Sequence, residues 1–194
     1  MLMQHGVEHC MAWLLMVDGY LRPSEALRLR RSQFIMPATG QPFMSRVAIH
    51  LNPRELRVRS KTGELDESVV VSRAWLSDAL VLWIAHKPDG PAFQVTLLGL
   101  RTAFLSVAAQ LGLTKFKPVL YMGRHSGASI DRPEERLELD EVKKRGRWRT
   151  DSSVRRYEKR ALVQKVLAEM SVAEVRMCAR AAAQLQAALR RRCS

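Results

Sequence analysis

Apolar residues follow helical spacing through most of this 194-residue chain, and one stretch between residues 43 and 71 breaks that pattern. Apolar and polar residues alternate over residues 47–51 and 56–58, and three consecutive valines occupy residues 69–71. Alternation with a period of two is typical of half-buried strands, whereas spacings of three and four are typical of amphipathic helices. The sequence therefore predicts a mainly α fold with a small three-stranded antiparallel β-sheet inserted early in the chain.

Two features locate turns and helix starts around this sheet. Gly63 follows Lys61 between the second and third predicted strands, and glycine permits the positive φ of a tight turn, so Lys61 is predicted near a hairpin tip. Pro23 suits a first helical turn, because the N–H that it lacks would be unpaired there. The predicted helices cover Val7–Val17, a short stretch entered through Pro23, Ala74–His86, Thr96–Leu111, Gly123–Ile130, Leu139–Arg145 ended by Gly146, and Arg160–Arg190 with a break near Ser171. Ser152–Tyr157 is predicted to be a turn or a short helix.

The charge of the chain indicates an anionic partner. Lys and Arg total 32 against 19 Asp and Glu, giving a formal net charge of +13, and the 47% of hydrophobic residues excludes wholesale disorder. Nucleic acid is the usual partner of such a domain, and a merely soluble basic surface is the alternative. No apolar run is long enough to span a membrane, and the three cysteines lack metal-ligand spacing. We therefore expect an intracellular protein, in the cytoplasm of a prokaryote or the nucleus of a eukaryote.

The positive charge is concentrated late in the chain. Nine of the 18 residues from Lys143 to Arg160 are cationic, and Trp148 and Tyr157 lie among them. Guanidinium groups bind phosphate oxygens in pairs, and release of counterions favours binding to DNA. A solvated basic helix is the alternative. The residues predicted to contact DNA are Lys143, Lys144, Arg145, Arg149, Arg155, Arg156 and Lys159.

Five short motifs follow one another in a fixed order. They are Arg22 with Glu25 three residues later, Lys61 in Ser-Lys-Thr-Gly, Arg124-His125, Gly146-Arg147-Trp148, and Tyr157 nine residues after Trp148. This order resembles the catalytic domain of the tyrosine recombinases, the phage-integrase family. Members carry an arginine and an acid, a lysine on a β-hairpin, a His-x-x-Arg motif, Gly-His or Gly-Trp, and a nucleophilic tyrosine nine residues later.

The resemblance implies a fold, a reaction and a set of roles. The fold would be the integrase-like DNA breaking-rejoining core, and the reaction site-specific recombination or integration through a 3′-phosphotyrosine intermediate. Double-stranded DNA would be the partner of a homo-oligomer, a tetramer on DNA, with no metal or other cofactor and no membrane. The catalytic residues would be Arg22, Lys61, Arg124, Trp148 and Tyr157, and the supporting residues Glu25, Tyr121, His125 and Arg147.

These residue types suit phosphoryl transfer. Two arginines can clamp the non-bridging oxygens, on which negative charge builds up during attack. The phenol of Tyr157 has an ordinary pKa near 10 and needs activation by a base or a cationic field. Lys61 can donate the proton that the leaving 5′ oxygen needs. Trp148 can donate from its indole N–H to the phosphate.

The chain also departs from the family pattern. Tyr121 stands where the family usually has His or Lys, which puts general base catalysis in doubt. Arg147 would align with the histidine of the family's Gly-His if the gap in the alignment were one residue tighter. The nine-residue spacing to Tyr157 instead favours Trp148 at this position, and Arg147 is interpreted as a phosphate contact. His125 is interpreted as structural, and Glu25 as a salt-bridge partner that holds Arg22.

The expected organisation is a catalytic domain over residues 1–160 and a helical tail over 161–194. The tail is expected to dock either on its own core or on a neighbouring protomer. The N-terminal DNA-binding domain that usually completes the clamp in this family is expected to be absent.

Other interpretations remain open. The chain could be a catalytically impaired DNA-binding remnant of such an enzyme, a type IB topoisomerase-like relaxase, or an adaptor for acidic proteins. Lys87 or Lys115 could take the role of Lys61, although neither lies at a predicted β-turn.

Overall fold

The fold is mainly helical. The computed structural model describes residues 2–38, 40–41, 45–54, 66–131, 137–155, 164–165 and 167–193. The α-helices within these residues are α1 Val7–Asp18, α2 Pro23–Arg28, α3 Ala74–Ala85, α4 Leu97–Gln110, α5 Met122–Asp131, α6 Leu139–Gly146, α7 Asp151–Arg155 and α8 Val172–Cys193. Each overlaps a stretch that the sequence predicted to be helical or, for α7, a turn or short helix. None of the helices in the described ranges is long and apolar enough to cross a membrane.

A three-stranded antiparallel sheet accompanies the helices, as predicted, although its strands differ in part from the expected ones. The order is β1 (Phe34–Ile35), β2 (Ala48–Leu51) and β3 (Glu67–Val70), with Ile49 opposite both Phe34 and Val69. The sequence did not predict β1, which is only two residues long. The expected strand at 56–58 and Lys61 lie outside the described residues, in the segment that joins the paired strands β2 and β3.

Local chemistry explains several helix ends. Pro23 occupies the first turn of α2, and the hydroxyl of Thr96 accepts a hydrogen bond from the N–H of Gly99 at the start of α4. Ser171 and Glu174 bond reciprocally at the start of α8, which confirms the predicted break near Ser171. Helix α6 ends one residue later than predicted. Gly146 is still helical, and Arg147 adopts the left-handed conformation with φ 52°.

Two apolar clusters hold these elements together. The main core combines α1, α2, the sheet and α3 with Leu100 of α4. Helix α8 packs on α3 and α1 of the same chain through Leu185, Leu189 and Cys193, on one face of the helix. The smaller cluster joins Tyr20 to one residue each from α5, α6 and α7, and Trp148 packs against it. This second cluster brings the end of α1 to the basic segment after α6.

Candidate functional site

Glu25 lies at the centre of three arginines. The backbone N–H of Arg22 donates to Glu25 Oε2 at 2.8 Å, and the Arg22 guanidinium donates to Oε1. Arg147 Nη2 donates to Glu25 Oε2 at 2.5 Å, and Arg124 Nη1 lies 3.8 Å from the same oxygen. We call Glu25, Arg22, Arg124 and Arg147 the Glu25 cluster. The structure thus brings together four of the residues that the sequence analysis singled out.

The backbone of Tyr20 positions two of these arginines. Tyr20 has φ 50°, a left-handed conformation that is uncommon for a bulky residue and recurs at functional sites. Its carbonyl oxygen accepts from Arg124 Nη1 at 2.7 Å and from Arg147 Nη2 at 3.5 Å. Arg124 also donates to the carbonyl of Gly146. A backbone oxygen just after α1 and another at the end of α6 therefore fix the guanidinium of Arg124 on α5.

A glycine permits the close contact between α5 and α1. A Cβ atom at Gly127 would lie 2.0 Å from the Val17 carbonyl oxygen and 2.7 Å from the Tyr20 ring. Such distances are far inside van der Waals contact, so any larger residue would force the two helices apart. Gly127 thereby sets the depth at which Arg124 meets Tyr20.

The cluster holds more positive than negative charge. Beside its three guanidinium groups stand two carboxylates, Glu25 and Glu67, whose Oε2 lies 3.6 Å from Arg147 Nε. Burial alone would raise the pKa of Glu25, but Arg147 and Arg22 outweigh it and hold that pKa below its ordinary value. Burial, with the charge of Arg147, lowers the pKa of Arg124 to about 10, so Arg124 stays protonated at neutral pH. The site carries one excess positive charge, which an anion can neutralise.

The three arginines differ in accessibility. The side chain of Arg22 is 18% exposed, that of Arg147 4% and that of Arg124 0%. Both terminal nitrogens of Arg124 bond carbonyl oxygens, and its Nε, like that of Arg147, is buried without a hydrogen bond. Arg22 is thus the most accessible of the three guanidiniums. The Arg124 guanidinium is thus fully buried and bonded to the backbone, whereas the sequence analysis expected it to clamp a phosphate directly.

Tyr121 stands beside Arg22, at the position where the family pattern has His or Lys. It precedes α5, is 38% exposed and interacts with the Arg22 guanidinium, which contributes to the raised pKa of Arg22. Burial opposes this rise, and Glu25 is the main group that causes it. The ring of His125 meets that of Tyr121 edge to face at 4.7 Å between centroids. Of the predicted supporting residues, Tyr121 thus contacts the Glu25 cluster through Arg22, and His125 contacts Tyr121.

Trp148 packs under the cluster. Its ring centroid lies 4.9 Å from Arg124 Cζ, within range of a cation–π interaction, and 5.9 Å from the Tyr20 ring. A Cβ atom at Gly146 would lie 1.8 Å from the indole ring. Gly146 is therefore required for this packing.

A cleft of about 520 Å³ adjoins the cluster at Arg147. It is lined by Glu67, Asp140, Lys143, Lys144, Arg147, Trp148 and Arg149. Three predicted DNA-binding residues therefore share one cleft with Arg147, although Lys143 is also paired with Asp151. Arg155 is exposed at the end of α7. The remaining predicted site residues, Lys61, Arg156, Tyr157 and Lys159, lie outside the described residues.

A second cluster of charged residues was not foreseen from the sequence. Asp18, at the end of α1, is buried and accepts from the backbone N–H of Ser72 at 2.8 Å and from Arg73 Nη1 at 2.8 Å. Arg145 Nη2 lies 3.1 Å from the Asp18 carboxylate, and Arg145 donates two further bonds to the Asp18 carbonyl oxygen. Arg145 was predicted to contact DNA. The structure instead gives its guanidinium a partner inside the fold.

Asp131 completes this second cluster. Its carboxylate accepts a hydrogen bond from the Tyr20 hydroxyl at 2.5 Å and lies 4.0 Å from Arg73 Nη2. We call Asp18, Asp131, Arg73 and Arg145 the Asp18 cluster. Burial, together with Asp131, raises the pKa of Tyr20 well above its ordinary value, so this phenol acts as a donor. Nothing in the local sequence around Asp18 indicates partners so distant along the chain.

Comparison with known proteins adds no family assignment. No protein-family model matches the chain, and no curated protein matches it at a significant level. The resemblance to tyrosine recombinases therefore depends on the order of the motifs, and the Glu25 cluster adds a geometric observation to it.

Proposed function

We propose that the chain breaks and rejoins DNA through a 3′-phosphotyrosine intermediate, as a site-specific recombinase or integrase does. The observation that carries this proposal is the Glu25 cluster, in which Arg22, Arg124 and Arg147 surround one carboxylate and leave an excess of positive charge. An anionic phosphodiester is the substrate class that such an excess favours, because charge on its oxygens increases in the transition state.

In the proposed reaction the Tyr157 oxygen attacks phosphorus and displaces the 5′ oxygen of the next nucleotide. The phenol proton leaves to a base, and the 5′ oxygen takes a proton, for which Lys61 is the proposed donor. Arg22 contacts the phosphate oxygens, and Arg124 stabilises the charge from its buried position. The phosphotyrosine bond conserves the energy of the original bond, so religation needs no nucleotide cofactor.

The cleft beside Arg147 is the proposed path of the flanking DNA. Lys144 and Arg149 are exposed and line it together with Lys143. Phosphate contacts by these side chains position a duplex without reading its sequence.

The test uses nicked suicide duplexes, which trap covalent protein–DNA adducts that are then resolved on denaturing gels. The wild-type chain should form an adduct, Tyr157→Phe should form none, and Arg101→Gln, a control at an exposed arginine of helix α4, should retain it. Arg22→Gln should lower the rate of adduct formation by about 10²–10³, the usual cost of losing one oxyanion contact. An adduct that persists in Tyr157→Phe would contradict the assigned nucleophile.

A second candidate is a DNA-binding remnant without cleavage activity. Two observations favour it: Tyr121 replaces the family's His or Lys, and both terminal nitrogens of Arg124 are bonded to backbone carbonyls. It predicts salt-dependent duplex binding with no adduct on any recombination site tried. Relaxation of supercoiled plasmid without strand exchange would instead identify a topoisomerase-like activity.

A further inference from the structure

The outer face of helix α8 carries a row of arginines. At 100° per residue, Arg176, Arg180, Arg190 and Arg191 fall within about 100° of the helix circumference, and all four are exposed. The face that packs on the core, through Leu185, Leu189 and Cys193, is centred about 150° away. We call the four arginines the α8 stripe.

No acidic residue interrupts the α8 stripe. Glu174 is the sole acid within α8, it lies off this face, and its carboxylate is bonded to Lys115 Nζ at 3.1 Å and to Ser171. Across the described part of the chain, neither Arg176 nor Arg180 has an ion-pair partner. Arg176 and Arg180 thus present uncompensated positive charge on a helix that is already anchored by its other side.

Helix stability does not account for these arginines. Arg190 and Arg191 lie in the last turn, where the helix dipole favours cations, but Arg176 and Arg180 lie in the first half of α8 and gain nothing from it. Arg176 and Arg180 are also like charges at positions i and i+4, which is unfavourable in an isolated helix. A bound polyanion would turn this unfavourable pair into a favourable one.

We propose that the α8 stripe is a second DNA-binding surface, distinct from the cleft beside Arg147, which contacts the phosphates of a duplex. The stripe consists of two pairs, Arg176 with Arg180 and Arg190 with Arg191. The nearest members of the two pairs, Arg180 and Arg190, are separated by about 15 Å along the helix axis. This separation exceeds the roughly 12 Å width of the major groove, so one pair can contact the phosphates on each side of that groove. The intervening Ala183 and Ala187 are exposed and small, which leaves room for the duplex to approach.

Charge and packing favour DNA over an anionic membrane as the occupant. An amphipathic helix binds bilayers by inserting its apolar face, and the apolar face of α8 is already buried against α3 and α1. Only the arginine face remains for a partner. This surface needs neither Tyr157 nor the Glu25 cluster, so its test is independent of the proposed reaction.

The test measures binding of the full chain to a fluorescent random-sequence duplex, by anisotropy, between 50 and 200 mM salt. Removing two phosphate contacts in the double variant Arg176→Gln and Arg180→Gln should lower the slope of log K against log salt by about 1.8. The affinity lost over this salt range should then be about tenfold smaller than in the wild type. The conservative double variant Arg176→Lys and Arg180→Lys should keep the wild-type slope.

The matched control is the double variant Arg30→Gln and Arg101→Gln, which removes two exposed arginines that lie outside helix α8. Its slope should stay near that of the wild type. Equal slopes in the wild type and the Arg176/Arg180 glutamine variant would overturn the proposal. So would an equal loss in the control, or a loss of binding to phosphatidylserine vesicles with DNA binding unchanged. The covalent-adduct assay is scored separately, so the failure of either proposal can be recognised without the other.

Discussion

The Asp18 cluster and the Glu25 cluster are built from the same kinds of groups and differ in their charge balance. In the Asp18 cluster two carboxylates face two arginines, and backbone N–H groups of Ser72 and Arg73 complete the hydrogen bonding of Asp18. In the Glu25 cluster three arginines face two carboxylates, counting Glu67. In the Asp18 cluster the positive and negative charges are equal in number, and each charged group has a partner within the fold. The Glu25 cluster has one more arginine than carboxylates, which suits it to bind an external anion.

Tyr20 joins the two clusters. Its hydroxyl bonds Asp131 on one side, and its carbonyl oxygen bonds Arg124 and Arg147 on the other. The Asp18 cluster can thereby hold the Glu25 cluster at a fixed distance. The comparison predicts that disturbing the Asp18 cluster affects stability first, while disturbing the Glu25 cluster affects anion binding first.

The largest effect is expected for Asp18→Asn, which leaves Arg145 without a carboxylate partner and Arg73 with only that of Asp131, 4.0 Å away. Breaking a buried ion pair from one side costs about 3–5 kcal/mol in the free energy of unfolding, measured by urea denaturation. Asp89→Asn is the matched control, because Asp89 is 96% exposed, and should leave the unfolding midpoint unchanged. A similar small change in both variants would remove the structural role assigned to Asp18.

Gly127→Ala tests the close contact between α5 and the Tyr20 segment, which joins the two clusters. The added methyl group would clash with Val17 and Tyr20, so the free energy of unfolding should fall by about 1–3 kcal/mol, measured in urea. Gly99→Ala, in helix α4, is the control: its methyl group meets only Thr96 Oγ1, at 3.2 Å, and Val95, at 3.9 Å, and alanine favours helices. Stabilisation in both variants would show that α5 and α1 pack less closely than described.

An anion should stabilise the wild type through the Glu25 cluster. Pyrophosphate at ten times its Kd should raise the free energy of unfolding by about 1.4 kcal/mol. Arg22→Gln should abolish this gain, because Arg22 is the most accessible arginine of the cluster, and Arg30→Gln should keep it. Thermal unfolding at constant ionic strength measures the difference. An unchanged response in Arg22→Gln would place the anion elsewhere.

The smallest effect is expected in acid. Because the pKa of folded Glu25 lies below its ordinary value, the stabilisation is complete above the unfolded-state pKa of about 4.3 and is lost as the pH falls through the folded pKa. Glu25→Gln should therefore flatten the decline of the free energy of unfolding between pH 4.5 and 2.5, measured by urea titration. Parallel curves would show that Glu25 gains nothing from its arginines.

The sequence predicted the helices and the site to different degrees. Apolar spacing located helices such as α3 and α4 because it reports directly which face is buried. The two-residue strand β1 was missed, since so short a segment has no period. In the site, the motif order predicted Arg22, Glu25 and Arg124 as neighbours, and Arg147 as a further contact.

The Asp18 cluster could not be predicted in the same way. Arg145 pairs with Asp18 across 127 residues of sequence, and no local pattern distinguishes this arginine from the exposed Arg149. The sequence could not predict that Arg124 is buried either, because burial of an arginine depends on the carbonyl groups that the fold brings to it. Residue type and order indicate chemistry, whereas the charge balance of a site is decided by distant partners.

The long separations within the Glu25 cluster set the order in which it is assembled during synthesis. Arg22 and Glu25 are made early and form a neutral pair by themselves. Arg124 meets the Tyr20 carbonyl across 104 residues, and Arg147 meets Glu25 across 122. A growing polypeptide thus has no excess charge at this site until α6 has emerged and docked. The three arginines therefore meet around Glu25 only when most of the chain has been synthesised.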